Sequence, residues 1–351
     1  MKNKETVAVA MSGGVDSGVA AYLALQQGFE VVGIFLKMHD TPTDPELYSC
    51  CSKLGIKLVE RDCRELFYDQ VLFHSAKEYI SGRTPNPCCT CNMLVKFAGL
   101  LSAADELGIN QVWTGHYAQI FTGENGDFQL RKGVDTNKDQ SYFLYRLTQK
   151  ELSRIHFPLG TMCKSEVRSI AAKADLPCAV RPESQDACFQ IPDECCGETL
   201  RRICNFEVKG GKFIHQGKVV GKHNGIHRYT IGQRQGLNVA LGVPAYISKI
   251  SAESGNIELT TNNSDLLTSE FFVRNLNWQS GNPPRKTDNL SVRIRYRSPG
   301  EKCTVEKVNE QLWRVKVSQA LRAVTPGQAA VFYADDLVLG GGVIYLDEND
   351  V

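Results

Sequence analysis

Apolar residues in the first two hundred positions follow two alternating patterns. Short continuous runs at 7–11, 30–36, 56–60 and 110–114 have the length of buried strands. Between them, segments 16–27, 69–80 and 93–107 repeat apolar residues at helical spacing, and Gly28 and Gly108 stand where a left-handed cap would end the first and last. Helices set between short apolar strands predict βαβ units and a parallel sheet. Beyond Cys204 the helical period fades. Segments 290–297, 312–317, 329–333 and 343–346 alternate polar and apolar residues, and 246–259 also reads as β. Gly-Gly, Asn-Gly and Pro-Gly pairs punctuate this part, which predicts a β sandwich or small barrel, with 261–265 as a linker.

The composition fits two or three domains in 351 residues, with 42% hydrophobic and 23% charged residues excluding a mainly disordered chain. From these runs no segment is expected to cross a membrane. The first five residues lead directly into the first strand without a signal sequence, so the expectation is a cytoplasmic protein whose 13 cysteines stay reduced. The net charge of +1 speaks against a nucleic-acid partner, but its distribution does not. Residues 201–234 hold eight Lys or Arg against Glu207, a net +7, and residues 285–302 hold six against Asp288 and Glu301, a net +4. Arg293, Arg295 and Arg297 alternate, which would put them on one face of a strand with Tyr229 and Tyr296 close by in sequence for stacking on bases. A solvated charged face is the plain alternative; the two clusters together favour RNA.

Ser12-Gly13-Gly14-Val15-Asp16-Ser17 lies between the first strand and the first helix. Paired glycines permit positive φ and let backbone N–H groups approach a phosphate at a helix start. Ser12 and Ser17 add hydroxyls, and Asp16 suits a metal carried on the phosphates. The loop is neither G-x-G-x-x-G nor a Gly-Lys-Ser/Thr loop. Further on, Thr84-Pro85-Asn86-Pro87-Cys88-Cys89-Thr90-Cys91 precedes a helix, whose positive end is expected to lower the thiol pKa of Cys91. Cys188, in Ser184-Gln185-Asp186-Ala187-Cys188-Phe189, is a second candidate nucleophile. Cys88-x-x-Cys91 with Cys188 is also a ligand set for an Fe–S cluster with one open iron. Cys195-Cys196 is a vicinal pair of no evident role, and most other cysteines read as small packing residues.

The glycine loop resembles that of the ATP-pyrophosphatase superfamily, whose members adenylate a carbonyl oxygen. Pro-Asn-Pro-Cys-x-x-Cys-Asn resembles the tRNA-specific 2-thiouridylases, as do Thr114-Gly115-His116-Tyr117, Asp139-Gln140-Ser141-Tyr142, Pro158-Leu159-Gly160, Lys164-Ser165-Glu166-Val167-Arg168, the 227–234 stretch and Thr325-Pro326-Gly327-Gln328. The resemblance spans nearly the whole chain. It implies an α/β fold: an N-terminal parallel-sheet PP-loop nucleotide-binding domain (1–200), a central tRNA-binding domain (201–265) and a C-terminal β-barrel domain (266–351). It implies ATP and Mg²⁺ as cofactors, bound by Ala10, Met11, Ser12, Gly13, Gly14, Val15, Asp16, Ser17, Leu36 and Gly115. Cys188 would carry sulfur as a persulfide with Cys91 as its partner, and Asn86, Pro87 and Cys88 would meet the target base. His116, Lys138, Asp139, Gln140, Arg295, Tyr296 and Gln328 would contact tRNA, and a persulfide donor protein would supply the sulfur. Some members carry Asp where this chain has Cys88, and 38–54 is shorter than in many members.

Overall fold

The computed structural model describes residues 4–182, 187–284 and 289–347. Five parallel strands lie in the order Lys57–Asp62, Glu30–Lys37, Thr6–Ala10, Gln111–Trp113 and Ile155–His156. The central strand Thr6–Ala10 is apolar from Val7 onward because both its faces are covered: Val7 and Val9 enter one core layer and Ala8 the other. Helices Val15–Gln26, Pro45–Leu54 and Lys164–Lys173 contribute to the first layer. Residues 64–80 and the helix Pro87–Glu106 contribute to the second. The strand order reverses at Thr6–Ala10, so a crevice opens at its carboxyl end beside Gln111–Trp113.

The later part is β. Tyr246–Ile250, Ile257–Thr260, Gly211–His215 and Lys218–His223 form one sheet. Leu267–Trp278 pairs with both Leu312–Arg322 and Leu337–Tyr345, which closes six antiparallel strands into a barrel and removes their free edges. Glycines make the closure possible. A Cβ on Gly340 (φ +152) would stand 2.0 Å from the Asn277 carbonyl oxygen. Gly340→Ala is therefore expected to cost about 3 kcal/mol, read as a fall in Tm. Gly255→Ala, with φ +67 and nothing within 4 Å, isolates the backbone cost and is expected to lose only about 1 kcal/mol.

Several elements differ from the sequence expectation. A hairpin, Ala118–Thr122 with Phe128–Lys132, interrupts the α/β half and extends the barrel sheet, Arg131 lying opposite Leu337. The cysteine segment does not precede its helix but opens it: Pro87 is in the first turn, and the Asn86 side chain caps it by accepting from the Cys89 N–H at 3.3 Å. The 290–297 strand stops at Arg293. Residues 294–298 turn, closed by the Ser298 hydroxyl donating to the Arg295 carbonyl at 2.8 Å, so the three arginines do not share a strand face. Pro87–Glu106 is long and apolar enough to cross a membrane by length and composition alone. Its apolar side is accounted for by the core, where Cys91, Val95, Leu100, Ala103 and Ala104 are buried.

The +7 stretch is also less bare than its count. Arg201 and Arg228 pair with Glu198, and Arg202 with Glu194, acids lying just outside the counted window. Arg285, Lys286 and Asp288 of the second stretch lie outside the described residues, as do Ser184, Gln185 and Asp186.

Candidate active site

The glycine loop sits at the crevice where the strand order reverses. Gly13 is left-handed (φ +77) and Gly14 is the residue before the helix. The Ser17 hydroxyl donates to the Gly14 carbonyl at 2.9 Å, while Ser12 N–H donates to Ser17 Oγ at 3.2 Å, so the two serines brace the turn from inside. A cavity of about 260 Å³ opens above it. Ala10, Met11, Ser12, Asp16, Ser17, Leu36 and Gly115 line this cavity; Gly13 and Gly14 form the turn and Val15 opens the helix, and none of the three is in the cavity wall. His116, Gln140 and Lys96 line it as well. Gly115 has no room for a side chain, since a Cβ would stand 2.8 Å from the Asp16 backbone.

Asp16 ties the loop to distant segments. Its Oδ1 accepts from Lys164 Nζ at 2.6 Å and from the Tyr117 hydroxyl at 2.8 Å. Arg181 Nη1 donates to the Gly13 carbonyl at 3.1 Å and pairs with Asp44 at 2.6 Å. Asp44 caps helix Pro45–Leu54, so the short 38–54 stretch braces the loop through Arg181.

His116 shares the cavity wall, with Nδ1 2.7 Å from Thr114 Oγ1. Burial, with the Lys96 ammonium in support, depresses its pKa to about 3. The ring is thus a neutral hydrogen-bonding group at physiological pH. An NMR titration of His116 is expected to stay flat from pH 5 to 8, and a midpoint near 6.5 would contradict this placement.

The cysteines lie next door. Cys88 and Cys188 are exposed, whereas Cys91 is buried, its Sγ 4.0 Å from Met38 Sδ. Phe189 and Ala187 pack into the same core layer as Cys91, which brings the Cys188 segment to the helix. Residues 92–97 form a π turn, a one-turn widening of the helix. It places Lys96 within electrostatic reach of Cys88, Cys91 and Cys188. The expected lowering of the Cys91 pKa does not occur: burial pushes the thiol up to about 12, and Lys96 only partly opposes it. Cys88 and Cys188, although exposed at the surface, are also raised, by partial desolvation of their thiols beside the helix, with Lys96 opposing. Among the described residues no three His, Cys, Asp or Glu side chains are grouped to hold a metal ion, so the thiols as arranged do not fit a cluster. All thirteen cysteines are free, with Cys195 exposed at the start of helix Cys196–Cys204.

The residues expected at tRNA divide. Lys138 and Tyr296 are partly exposed, Tyr296 leaning on Phe143 with ring centroids 4.6 Å apart. Asp139 is buried; its carboxylate accepts from Gly133 N–H and Ser141 N–H, each at 3.1 Å, and faces Arg293 at 3.6 Å. Gln140 Oε1 accepts from Tyr117 N–H at 3.0 Å. Arg295 and Gln328 bond to loops of the protein itself, Arg295 to the Ala323 carbonyl at 2.9 Å and Gln328 to the Thr84 carbonyl at 2.8 Å. Lys96 is the residue sequence reasoning missed, because only the folded helix reveals that it serves both the cavity and the thiols.

A parallel sheet with a serine-braced glycine loop at its reversal point, followed by two β modules, defines a nucleotide-binding α/β protein of the PP-loop kind. Three family models match in sequence: a tRNA methyl transferase HUP domain over residues 5–192, a tRNA methyl transferase PRC-barrel domain over 198–260 and an aminomethyltransferase beta-barrel domain over 268–344. The chain is 40% identical to tRNA-specific 2-thiouridylase MnmA 2 of Thermoanaerobacter sp. (strain X514), over 98% of this chain and 99% of that one. It is 39% identical to MnmA of Lachnoclostridium phytofermentans over 96% and 99% of the two chains, and 40% identical to MnmA of Chlorobium phaeovibrioides over 98% and 99%. The chain belongs to the tRNA-specific 2-thiouridylase family.

Proposed function

We propose that the protein catalyses ATP-dependent 2-thiolation of the wobble uridine of tRNA. The observation that carries the reading is Lys96, which lines the glycine-loop cavity and also stands within electrostatic reach of the three thiols. Nucleotide activation and sulfur chemistry would then share one chamber. The C2 oxygen of uridine is a poor leaving group. Attack of that oxygen on the α-phosphorus of ATP would expel pyrophosphate and turn it into an AMP leaving group.

The loop's N–H groups and the braced serines would orient the phosphates. Asp16, a hard carboxylate donor at the helix start, would hold Mg²⁺ carried on the phosphates, which when bound neutralises charge on the departing pyrophosphate. The terminal sulfur of a Cys188 persulfide would attack C2 and release AMP. The Cys91 thiolate would then attack Cys188 Sγ, forming a Cys91–Cys188 disulfide and leaving the electron pair on the thiolated base. An external thiol reductant and a persulfide donor protein complete the cycle. Asn86, Pro87 and Cys88 are proposed at the base, which must leave its stack to enter. Lys138 and Tyr296 are proposed RNA contacts.

The test is a single assay of ATP cleavage with tRNA and a persulfide (sulfane-sulfur) donor. The expected products are AMP, pyrophosphate and 2-thiouridine; tRNA binding without ATP cleavage would reduce the protein to an RNA-binding module.

A further inference from the structure

Two prolines flank the approach to the cysteines, Thr84-Pro85-Asn86-Pro87, and neither ring nitrogen can donate a hydrogen bond. The carbonyls of Thr84 and Pro85 therefore look outside their own segment for donors. Both find the same side chain. Gln328 Nε2, on the barrel loop, donates to the Thr84 carbonyl at 2.8 Å and to the Pro85 carbonyl at 3.1 Å. The loop meets the segment again through its backbone, with Thr84 N–H donating to the Pro326 carbonyl at 2.9 Å. Gly327 (φ +89) permits this approach, since a Cβ there would lie 3.0 Å from the Thr84 carbonyl group. The central module touches the same point, Thr84 Oγ1 standing 3.1 Å from Thr230 Oγ1.

The loop is itself held. Gly327 N–H donates to the Ile344 carbonyl at 3.0 Å, Ile344 N–H donates to the Gln328 carbonyl at 2.8 Å, and Arg295 Nη2 donates to the Ala323 carbonyl at 2.9 Å and to Thr325 Oγ1 at 3.2 Å. On its other side the approach borders a cavity of about 270 Å³ between the helix and the barrel, with Pro85, Asn86, Cys89 and Gly327 in its wall. Beside that cavity, the polar clamp fixes the geometry of the two carbonyls.

We infer that Gln328 is a positioning residue, through which the barrel sets the turn that presents Cys88 and Asn86. The inference rests on the site reading above for its meaning but not for its test. The full chain is compared with Gln328→Leu, which keeps bulk and loses the donor, and Gln328→Glu, which keeps shape and turns an acceptor on two carbonyls. Iodoacetamide labelling of Cys88, followed by peptide mass spectrometry, reads the turn directly and needs no thiolation activity. It is expected to quicken at least threefold in both variants. Thiolation kcat is expected to fall about tenfold, with Kd for tRNA within twofold of the parent. An unchanged labelling rate in both variants overturns the inference, and a tenfold weaker Kd with unchanged labelling makes Gln328 an RNA contact instead. If the wild type thiolates nothing, the site reading fails while the labelling result still stands.

Discussion

Replacing Cys188 by serine is expected to abolish 2-thiouridine formation, by about a thousandfold or more, while tRNA-dependent pyrophosphate release persists. A hydroxyl cannot carry a sulfane sulfur, so the covalent route closes outright. A thousandfold corresponds to about 4 kcal/mol of barrier, well beyond what a change in packing at an exposed position supplies. Cys91→Ser is expected to behave differently. Sulfur would still reach C2, but the Cys188–sulfur bond would not be resolved. A protein–RNA adduct that dithiothreitol releases is expected on a denaturing gel. Normal thiolation by both variants would end the persulfide mechanism. Burial raises the Cys91 thiol, and the Lys96 ammonium opposes that rise.

Asp16→Ala has the second large effect. Its carboxylate holds Lys164 and Tyr117 beside the loop, and Lys164 is only 12% exposed. Losing that acceptor is expected to cost about 2 kcal/mol of stability. It also releases the cation and the loop from their mutual registration. ATP cleavage is expected to fall about a hundredfold, roughly 3 kcal/mol. Asp16→Asn should retain part of the Tyr117 contact and lose less stability. Because the two groups touch, Asp16→Ala with Lys164→Ala should cost less than the sum of the single changes. Additive losses would show that the pair is incidental. Filter binding of tRNA is expected to be unaltered in both.

The parallel sheet was legible because fully buried strands are continuous apolar runs, as Val7 to Ala10 illustrates. The glycine loop was legible because it depends on local backbone freedom. The start of the cysteine helix was present in Asn86-Pro87, a cap followed by a first-turn proline, but the prolines read as a rigid approach instead. The hairpin carries alternation and an Asn125-Gly126 turn signal, which the surrounding βαβ rhythm masked. The charged clusters misled by counting a window: Glu194 and Glu198 neutralise arginines that follow them by a few residues. The π turn that swings Lys96 toward the thiols has no signature in spacing. Nor has the use of Arg295 and Gln328, whose partners lie on segments far away in the chain.

The hairpin at 118–132 has a consequence for how this molecule can be taken apart. It is encoded between two strands of the nucleotide-binding sheet yet hydrogen-bonds as an outlying pair of the barrel's own sheet. A cut in the sequence ahead of the barrel would therefore not be a cut between folded parts. It would leave a two-stranded flap with its pairing edge bare, the kind of edge that seeks another chain. The nucleotide half and the barrel are stitched together by a loop of thread that crosses the seam twice. Recombination or truncation at that seam would inherit an open edge rather than a finished domain.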